Sequence, residues 1–121
     1  PDTCPDVIKK TKELGLVSMP GSYTPSEIRI AHLAGADFVK VFPAVSLGAS
    51  YIKAVKAPLS NIKLLAVGGI NENNMSEYLA AGASGFGIGG NIIDKNMIEN
   101  NDFGGITELA KRYVAAVRGE I

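Results

Sequence analysis

Four short apolar segments, separated by stretches with helical periodicity, constrain the fold of this chain more than any other feature. Glycine, proline or asparagine, the usual turn residues, bound each segment. The segments are almost continuously apolar, as parallel strands buried on both faces are. They cover residues 16–19, 38–42, 64–67 and 85–88. This pattern predicts an α/β fold with a parallel sheet.

Helical signals fill the intervals between these segments. Residues 24–27, Thr-Pro-Ser-Glu, match a capping box with proline at the first helical position, and apolar side chains recur at i+3 and i+4 near the carboxyl terminus. Asn96 to Asn101 look like a polar loop, and Asp94 and Asp102 look like caps or loop residues. Helices are predicted at residues 5–14, 25–34, 50–56, 73–81 and 103–118. One helix followed by four strand–helix units, with no linker, indicates one domain over residues 1–121.

Composition excludes several function classes. The 121 residues carry 12 basic and 12 acidic side chains, so no net positive charge favours nucleic acid or a membrane surface. No apolar run reaches the roughly 20 residues that a membrane-spanning helix needs. The single cysteine, Cys4, cannot form an internal disulfide and fits a reducing, cytoplasmic compartment.

Lys40 is the first candidate for chemistry, because it lies within an otherwise apolar strand and near the carboxyl end where parallel α/β folds place their sites. Burial disfavours the ammonium form, and a neutral amine can attack a carbonyl to form a Schiff base. The alternative is that Lys40 extends to solvent from an edge strand.

Two glycine pairs, Gly68-Gly69 and Gly89-Gly90, follow the last two strands. Glycine permits close backbone approach, and exposed N–H groups attract anions, so paired loops of this kind are typical of a phosphate site after strands 7 and 8 of a barrel. The alternative is that these glycines only form tight turns.

These elements together resemble a known family. Residues 38–44, Phe-Val-Lys-Val-Phe-Pro-Ala, resemble the lysine-bearing strand of the 2-keto-3-deoxy-6-phosphogluconate (KDPG) and 4-hydroxy-2-oxoglutarate (KHG) aldolases. Residues 19–27 resemble the loop and helix that precede that strand in this family, and the two glycine loops resemble its phosphate loops. The resemblance covers essentially the whole chain in the correct order.

The resemblance implies a (β/α)₈ TIM barrel, usually a homotrimer, and a class I aldolase that needs no metal or cofactor. Lys40 would form an iminium with the keto group of a keto acid or sugar-acid phosphate, whose cleavage yields pyruvate and glyceraldehyde 3-phosphate, or glyoxylate from KHG. The implied substrate-binding residues are Pro1, Pro20, Thr24, Phe42, Gly68, Gly69, Gly90 and Asn91.

Two replacements and one larger absence depart from the family pattern. Val67 stands where the family often has threonine, and Asn91 stands at the position of a phosphate-binding serine, which leaves a galactonate-derived or unphosphorylated substrate open. The acid/base Glu of strand 2, its nearby Arg and a Thr of strand 3 have no counterpart here. We therefore expect strands 5–8, the C-terminal half of a barrel that begins as strand 4 ends at Pro1, and no activity from this half alone.

Two other functions share some of these features. A phosphate-binding barrel such as a thiamine-phosphate synthase-like transferase has similar glycine loops, but it gives no reason for the lysine in residues 38–44. A non-catalytic half-barrel could bind anions or associate with another half, because an open parallel sheet exposes unpaired strand edges.

Overall fold

The computed structural model describes residues 2–120 and contains the predicted order of one helix followed by strand–helix units. One additional short helix precedes the last. The elements are α1 (Pro5–Glu13), β1 (Gly21–Ser22), α2 (Pro25–Leu33), β2 (Val39–Val41), α3 (Gly48–Lys56), β3 (Leu64–Val67), α4 (Met75–Ala80), β4 (Gly85–Gly87), α5 (Lys95–Glu99) and α6 (Phe103–Arg118).

The four strands form one parallel sheet in the order β1-β2-β3-β4, which confirms the predicted sheet. Lys40 pairs with Gly21 on one side and with Leu65 on the other. The alternative that Lys40 lies on an edge strand is therefore wrong, because β2 has a neighbour on both sides.

The helices cover only one face of this sheet. Val39, Val41, Leu64 and Ala66 are fully buried on that face and belong to the hydrophobic core. The alternate residues of β2 and β3, including Lys40, are only half-buried. The expectation of burial on both faces is wrong for residues 2–120, because no second layer of helices packs on the other face there.

The first strand lies later in the chain than predicted. Residues 16–19 are not a strand, and Val17 and Met19 are more than half exposed, at 61% and 55%. The carbonyl oxygen of Ser18 accepts from the N–H groups of Asp37 and Phe38, so the segment still runs beside β2. Because Pro20 has no N–H to donate to β2, regular pairing begins only at Gly21.

Side-chain caps define three helix starts. Thr24 and Glu27 form the predicted capping box of α2. Asp94 accepts from the Met97 N–H at 3.0 Å, and Asp102 accepts from the Gly105 N–H at 2.8 Å. The prediction of a polar loop over residues 96–101 is wrong, because α5 occupies much of it. Helix α5 has no buried residue and therefore no apolar period to detect.

The loop after β2 packs directly on the loop after β3. The N–H groups of Ala44 and Val45 donate to the carbonyl oxygens of Val67 and Gly68 at 2.8 and 3.1 Å. Gly69 has φ +75°, and a Cβ atom there would lie 2.5 Å from the Cβ of Val45. Only glycine allows this backbone conformation and this close approach together.

An ion pair ties α1 to the chain that leads into β2. The Asp37 carboxylate accepts from the Lys12 ammonium at 2.7 and 2.8 Å and from the Ser18 N–H at 2.7 Å. The hydrogen bond from Lys12, followed by the one from Ser18, lowers the pKa of the Asp37 carboxyl below its ordinary value. The carboxylate therefore stabilises the fold above the pKa of the unfolded state, and this contribution is lost as pH falls through the folded pKa.

We expect Gly69→Ala to reduce the free energy of unfolding by about 1–3 kcal/mol, because the new Cβ clashes with Val45 and φ is unfavourable. Gly90→Ala is the matched control, since no atom lies within 4 Å of the added Cβ, and we expect a change within about 0.5 kcal/mol. Urea unfolding of both variants measures the difference. Equal stabilities would contradict the close approach at Gly69.

We expect Asp37→Asn to lower the midpoint of thermal unfolding at neutral pH, because the variant loses the ion pair with Lys12. The difference from the unmodified chain should shrink as pH falls below about 4, because the carboxyl becomes protonated first in the unfolded state and then, at its lower pKa, in the folded state. Glu13→Gln is the control, because the Glu13–Lys10 pair is well exposed and contributes little. A constant difference across this pH range would show that the carboxylate charge does not contribute.

Candidate functional site

Lys40 and Phe42 lie on the same face of β2 and its extension, as their spacing predicts. The Lys40 Nζ atom is 5.4 Å from the centroid of the Phe42 ring, within the range of a cation–π contact. The ring lies against Gly68, where a Cβ atom would be 3.1 Å from two of its carbons. The Phe42 ring thus connects the lysine to the first glycine loop.

The two glycine loops come together in one cavity of about 290 Å³ at the carboxyl ends of β3 and β4. The cavity is bounded by Phe42, Val67, Gly68, Gly69, Ile70, Gly87, Ile88, Gly89, Gly90 and Asn91. The predicted juxtaposition of Phe42, Gly68, Gly69, Gly90 and Asn91 is therefore present in the structure.

Backbone N–H groups in this cavity are available to a ligand. Across residues 2–120, no hydrogen bond has the N–H of Gly69, Gly90 or Asn91 as its donor. A Cβ atom at Gly89 or Gly90 would meet nothing within 4 Å, so the second loop is open. Free N–H groups around an open space match the requirements of a phosphate or carboxylate.

The Asn91 side chain already has a partner. Its Nδ2 atom donates to the carbonyl oxygen of Ile70 at 2.7 Å, across the cavity from the second glycine loop to the first. The family resemblance implies that the phosphate is held largely through backbone N–H groups here, with the Asn91 amide as an additional donor. The structure instead places this amide in a bond between the loops.

Pro20 and Thr24 do not join the residues around the glycine loops. Pro20 borders a separate cavity of about 270 Å³ next to Cys4 and Val7. Its carbonyl oxygen nevertheless accepts from the Lys40 N–H at 2.8 Å. The Thr24 side chain caps α2, and Pro1 lies outside the described residues.

Glu27, three residues after Thr24, has a lowered pKa. Its carboxylate accepts from the N–H groups of Thr24 and Tyr23, each at 2.7 Å. These bonds, first that from Thr24, lower the pKa of the Glu27 carboxyl. Glu27 is thus engaged in capping α2 and stays ionised at neutral pH, so it has no proton to transfer there.

Three residues that support the site escaped prediction. The Tyr78 hydroxyl of α4 donates to the Ala44 carbonyl oxygen at 3.1 Å, the Asn74 Nδ2 atom donates to the Gly69 carbonyl oxygen at 3.0 Å, and Val45 packs over Gly69. The Tyr78 and Val45 contacts join distant parts of the chain that only tertiary packing brings together, whereas the Asn74 bond spans five residues. The only signal in the sequence is the asparagine-rich segment 71–74, whose asparagines favour local backbone bonding.

Residues 2–120 include no group of three or more His, Cys, Asp or Glu side chains placed to hold a metal ion. Within the same residues, no helix has the length and apolar character needed to cross a membrane.

The chain is similar in sequence to curated aldolases. The chain is 41% identical over 98 residues to a probable 2-dehydro-3-deoxy-6-phosphogalactonate aldolase of Rhizobium meliloti (strain 1021), which covers 80% of this chain and 46% of that protein. It is 30% identical over 120 residues to a 2-dehydro-3-deoxy-phosphogluconate aldolase of Haemophilus influenzae, with 98% of this chain and 56% of that protein covered. The chain thus spans about half the length of these curated relatives.

The chain is also similar to solved structures. A solved structure described as native KDPGal matches 98% of this chain and 58% of its own, with a TM-score of 0.84 and 33% identity. A thiamine phosphate pyrophosphorylase from Pyrococcus furiosus matches with a TM-score of 0.65 and 23% identity, which reflects the fold alone. The family model for KDPG and KHG aldolase matches residues 1–109. The chain, with its strand-borne lysine and paired glycine loops, belongs to the KDPG and KHG aldolase family.

Proposed function

We propose that the protein is a class I aldolase in which Lys40 is the Schiff-base nucleophile. The observation that carries this proposal is the position of Lys40 on a central strand, on the face that the helices leave uncovered. Its Nζ atom lies over the Phe42 ring, at the edge of the glycine-loop cavity. A half-buried amine remains accessible to a substrate, whereas its neighbours Val39 and Val41 are fully buried.

The reaction follows from the chemistry of a lysine amine. The neutral Lys40 amine attacks the C2 carbonyl of the keto acid, and loss of water leaves an iminium. The iminium accepts the electron pair released when the C3–C4 bond breaks, while the C4 hydroxyl loses its proton and becomes the aldehyde. Protonation of the resulting enamine at C3 and hydrolysis release pyruvate and free Lys40.

We propose a phosphorylated 2-keto-3-deoxy sugar acid as the substrate. The glycine loops offer free N–H groups at Gly69, Gly90 and Asn91, which suit a phosphate at the end distant from the keto group. The names of the relatives include both phosphogluconate and phosphogalactonate aldolases, so KDPG and its galactonate epimer are the first two substrates to assay. KHG, which lacks the phosphate, is the third.

We also propose that the four strands are half of an eight-stranded barrel that works as a homotrimer. In the family resemblance, the proton-transferring Glu belongs to strand 2, so the N-terminal half of the barrel would supply that group. The relatives' greater length supports this division, since about half of each is covered.

In the full-length protein, borohydride should reduce the iminium that pyruvate forms and so attach a carboxyethyl group to Lys40. Peptide mass spectrometry locates the label. Lys40→Met should abolish both the labelling and the aldolase activity, because the variant lacks the amine on β2 that forms the iminium.

Lys63→Met is a matched control for this labelling. The Lys63 Nζ atom also lies over a phenylalanine ring, 5.3 Å from the centroid of Phe38, but at the opposite end of the sheet. The control should keep both labelling and activity. Absence of a label at Lys40 would overturn the proposal and favour a different reaction, such as the thiamine-phosphate synthase-like alternative.

A further inference from the structure

Some backbone groups of the two glycine loops already have a hydrogen-bond partner, whereas others have none within residues 2–120. In the second loop, the N–H groups of Ile92 and Ile93 both donate to the Gly89 carbonyl oxygen, at 2.9 and 3.0 Å. This turn leaves the N–H groups of Gly90 and Asn91 at its start without an acceptor within residues 2–120. The donors of this turn are therefore free.

In the first loop, two consecutive carbonyl oxygens are engaged by asparagine amides. Asn74 Nδ2 donates to the Gly69 oxygen at 3.0 Å, and Asn91 Nδ2 donates to the Ile70 oxygen at 2.7 Å. In a planar trans peptide the N–H of one residue points opposite to the C=O of the residue before it, so these bonds orient the Gly69–Ile70 and Ile70–Asn71 peptides next to the Gly69 N–H. A phosphate is repelled by a carbonyl oxygen and attracted by an N–H group.

The two asparagines hold the loop in different ways. Asn74 is local, because its Oδ1 atom also accepts from the Asn71 N–H at 2.9 Å and completes a turn within one segment. Asn91 comes from the other loop, 21 residues away from Ile70. Beyond the end of the β3–β4 pairing, its bond therefore links the two loops to each other.

We propose that Asn91 is a positioning residue that holds the two glycine loops at the separation a phosphate needs, and that its side chain does not itself bind the phosphate. The inference rests on the proposed function only for the identity of the anion as a substrate phosphate. It refines the expectation from the family resemblance, in which the Asn91 amide at the position of a serine remains available as a phosphate donor. It also makes Asn91 a determinant of the preference for phosphorylated over unphosphorylated substrates.

Titration with inorganic phosphate, followed by NMR of backbone and side-chain amides, tests the binding part. In the unmodified protein, the backbone amides of Gly69, Gly90 and Asn91 should shift together. Asn91→Ala should weaken phosphate binding about tenfold, as expected for one lost hydrogen bond that organises a site. Asn91→Asp should weaken it further, because a carboxylate cannot donate to the Ile70 oxygen and repels the phosphate.

Asn100→Ala is the matched control. The Asn100 Nδ2 atom also donates to a backbone carbonyl oxygen, that of Asn96 at 2.8 Å, but at the exposed carboxyl end of α5. This variant should bind phosphate as the unmodified protein does. Unchanged phosphate affinity in both Asn91 variants, or no shift of the three backbone amides in the unmodified protein, would overturn the proposal.

A carbon-13 measurement separates positioning from direct binding. Without phosphate, Asn91→Ala should already shift the carbonyl carbon of Ile70, because its hydrogen bond is lost. In the unmodified protein, phosphate should leave the Asn91 side-chain amide nearly unshifted. A large phosphate-induced shift of that side chain, with an unaltered Ile70 carbonyl in the variant, would make Asn91 a ligand and overturn the proposal.

Kinetics provide the readout that general destabilisation would not produce. In the full-length protein, Asn91→Ala should raise KM about tenfold for the 6-phosphorylated keto acid, with kcat unchanged, and should leave KM for KHG unchanged. Equal effects on both substrates would overturn the proposal. Failure of the proposed function is distinct: it would appear as absent borohydride labelling at Lys40, whereas the phosphate titration would still report on Asn91.

Discussion

The parallel pairing of β2 with a strand on each side is the constraint on which the site depends. It holds Lys40 from both sides, through the bond from its N–H to the Pro20 oxygen and through the register with Leu65. Parallel strands end at the same edge of a sheet, so the turns after β2, β3 and β4 meet there. Phe42 and the glycine loops are therefore neighbours in space although about 50 residues separate the first from the last.

The unequal cover of the two faces gives Lys40 its character. Helices bury Val39 and Val41 completely, and this packing fixes the orientation of β2. Alternation along the strand then places Lys40 on the opposite face, where no helices pack within residues 2–120 and Lys40 is only half-buried. The Lys40 side chain there avoids the cost of full burial, and its Nζ atom lies over the Phe42 ring.

The loops are held by backbone and amide bonds more than by charge. Val45 over Gly69, the Tyr78 hydroxyl on the Ala44 oxygen and the Asn91 amide on the Ile70 oxygen connect the three strand ends. This arrangement engages carbonyl oxygens and leaves N–H groups free. An anion site can therefore form without a cationic side chain at the loops.

Much of the fold and part of the site could be predicted from the sequence. The strand pattern, the capping box of α2 and the 16-residue α6 depend on local periodicity and turn residues, and they agree with the structure. Helix α5 lacks that signal because nothing in it is buried, and Pro20 displaced β1 by removing one donor. Lys40, Phe42 and the glycines were identifiable because each residue type is unusual for its position in a strand or turn.

The sequence by itself determined the parallel α/β class, the nucleophile candidate and the glycine loops, since these follow from short-range composition and order. Only the tertiary structure decided which face of β2 is covered, that β2 is central, and that the Asn91 amide spans two loops. These properties depend on contacts between segments far apart in the chain. Side-chain hydrogen bonds of that kind have no local pattern, because any polar residue brought close by packing can form them.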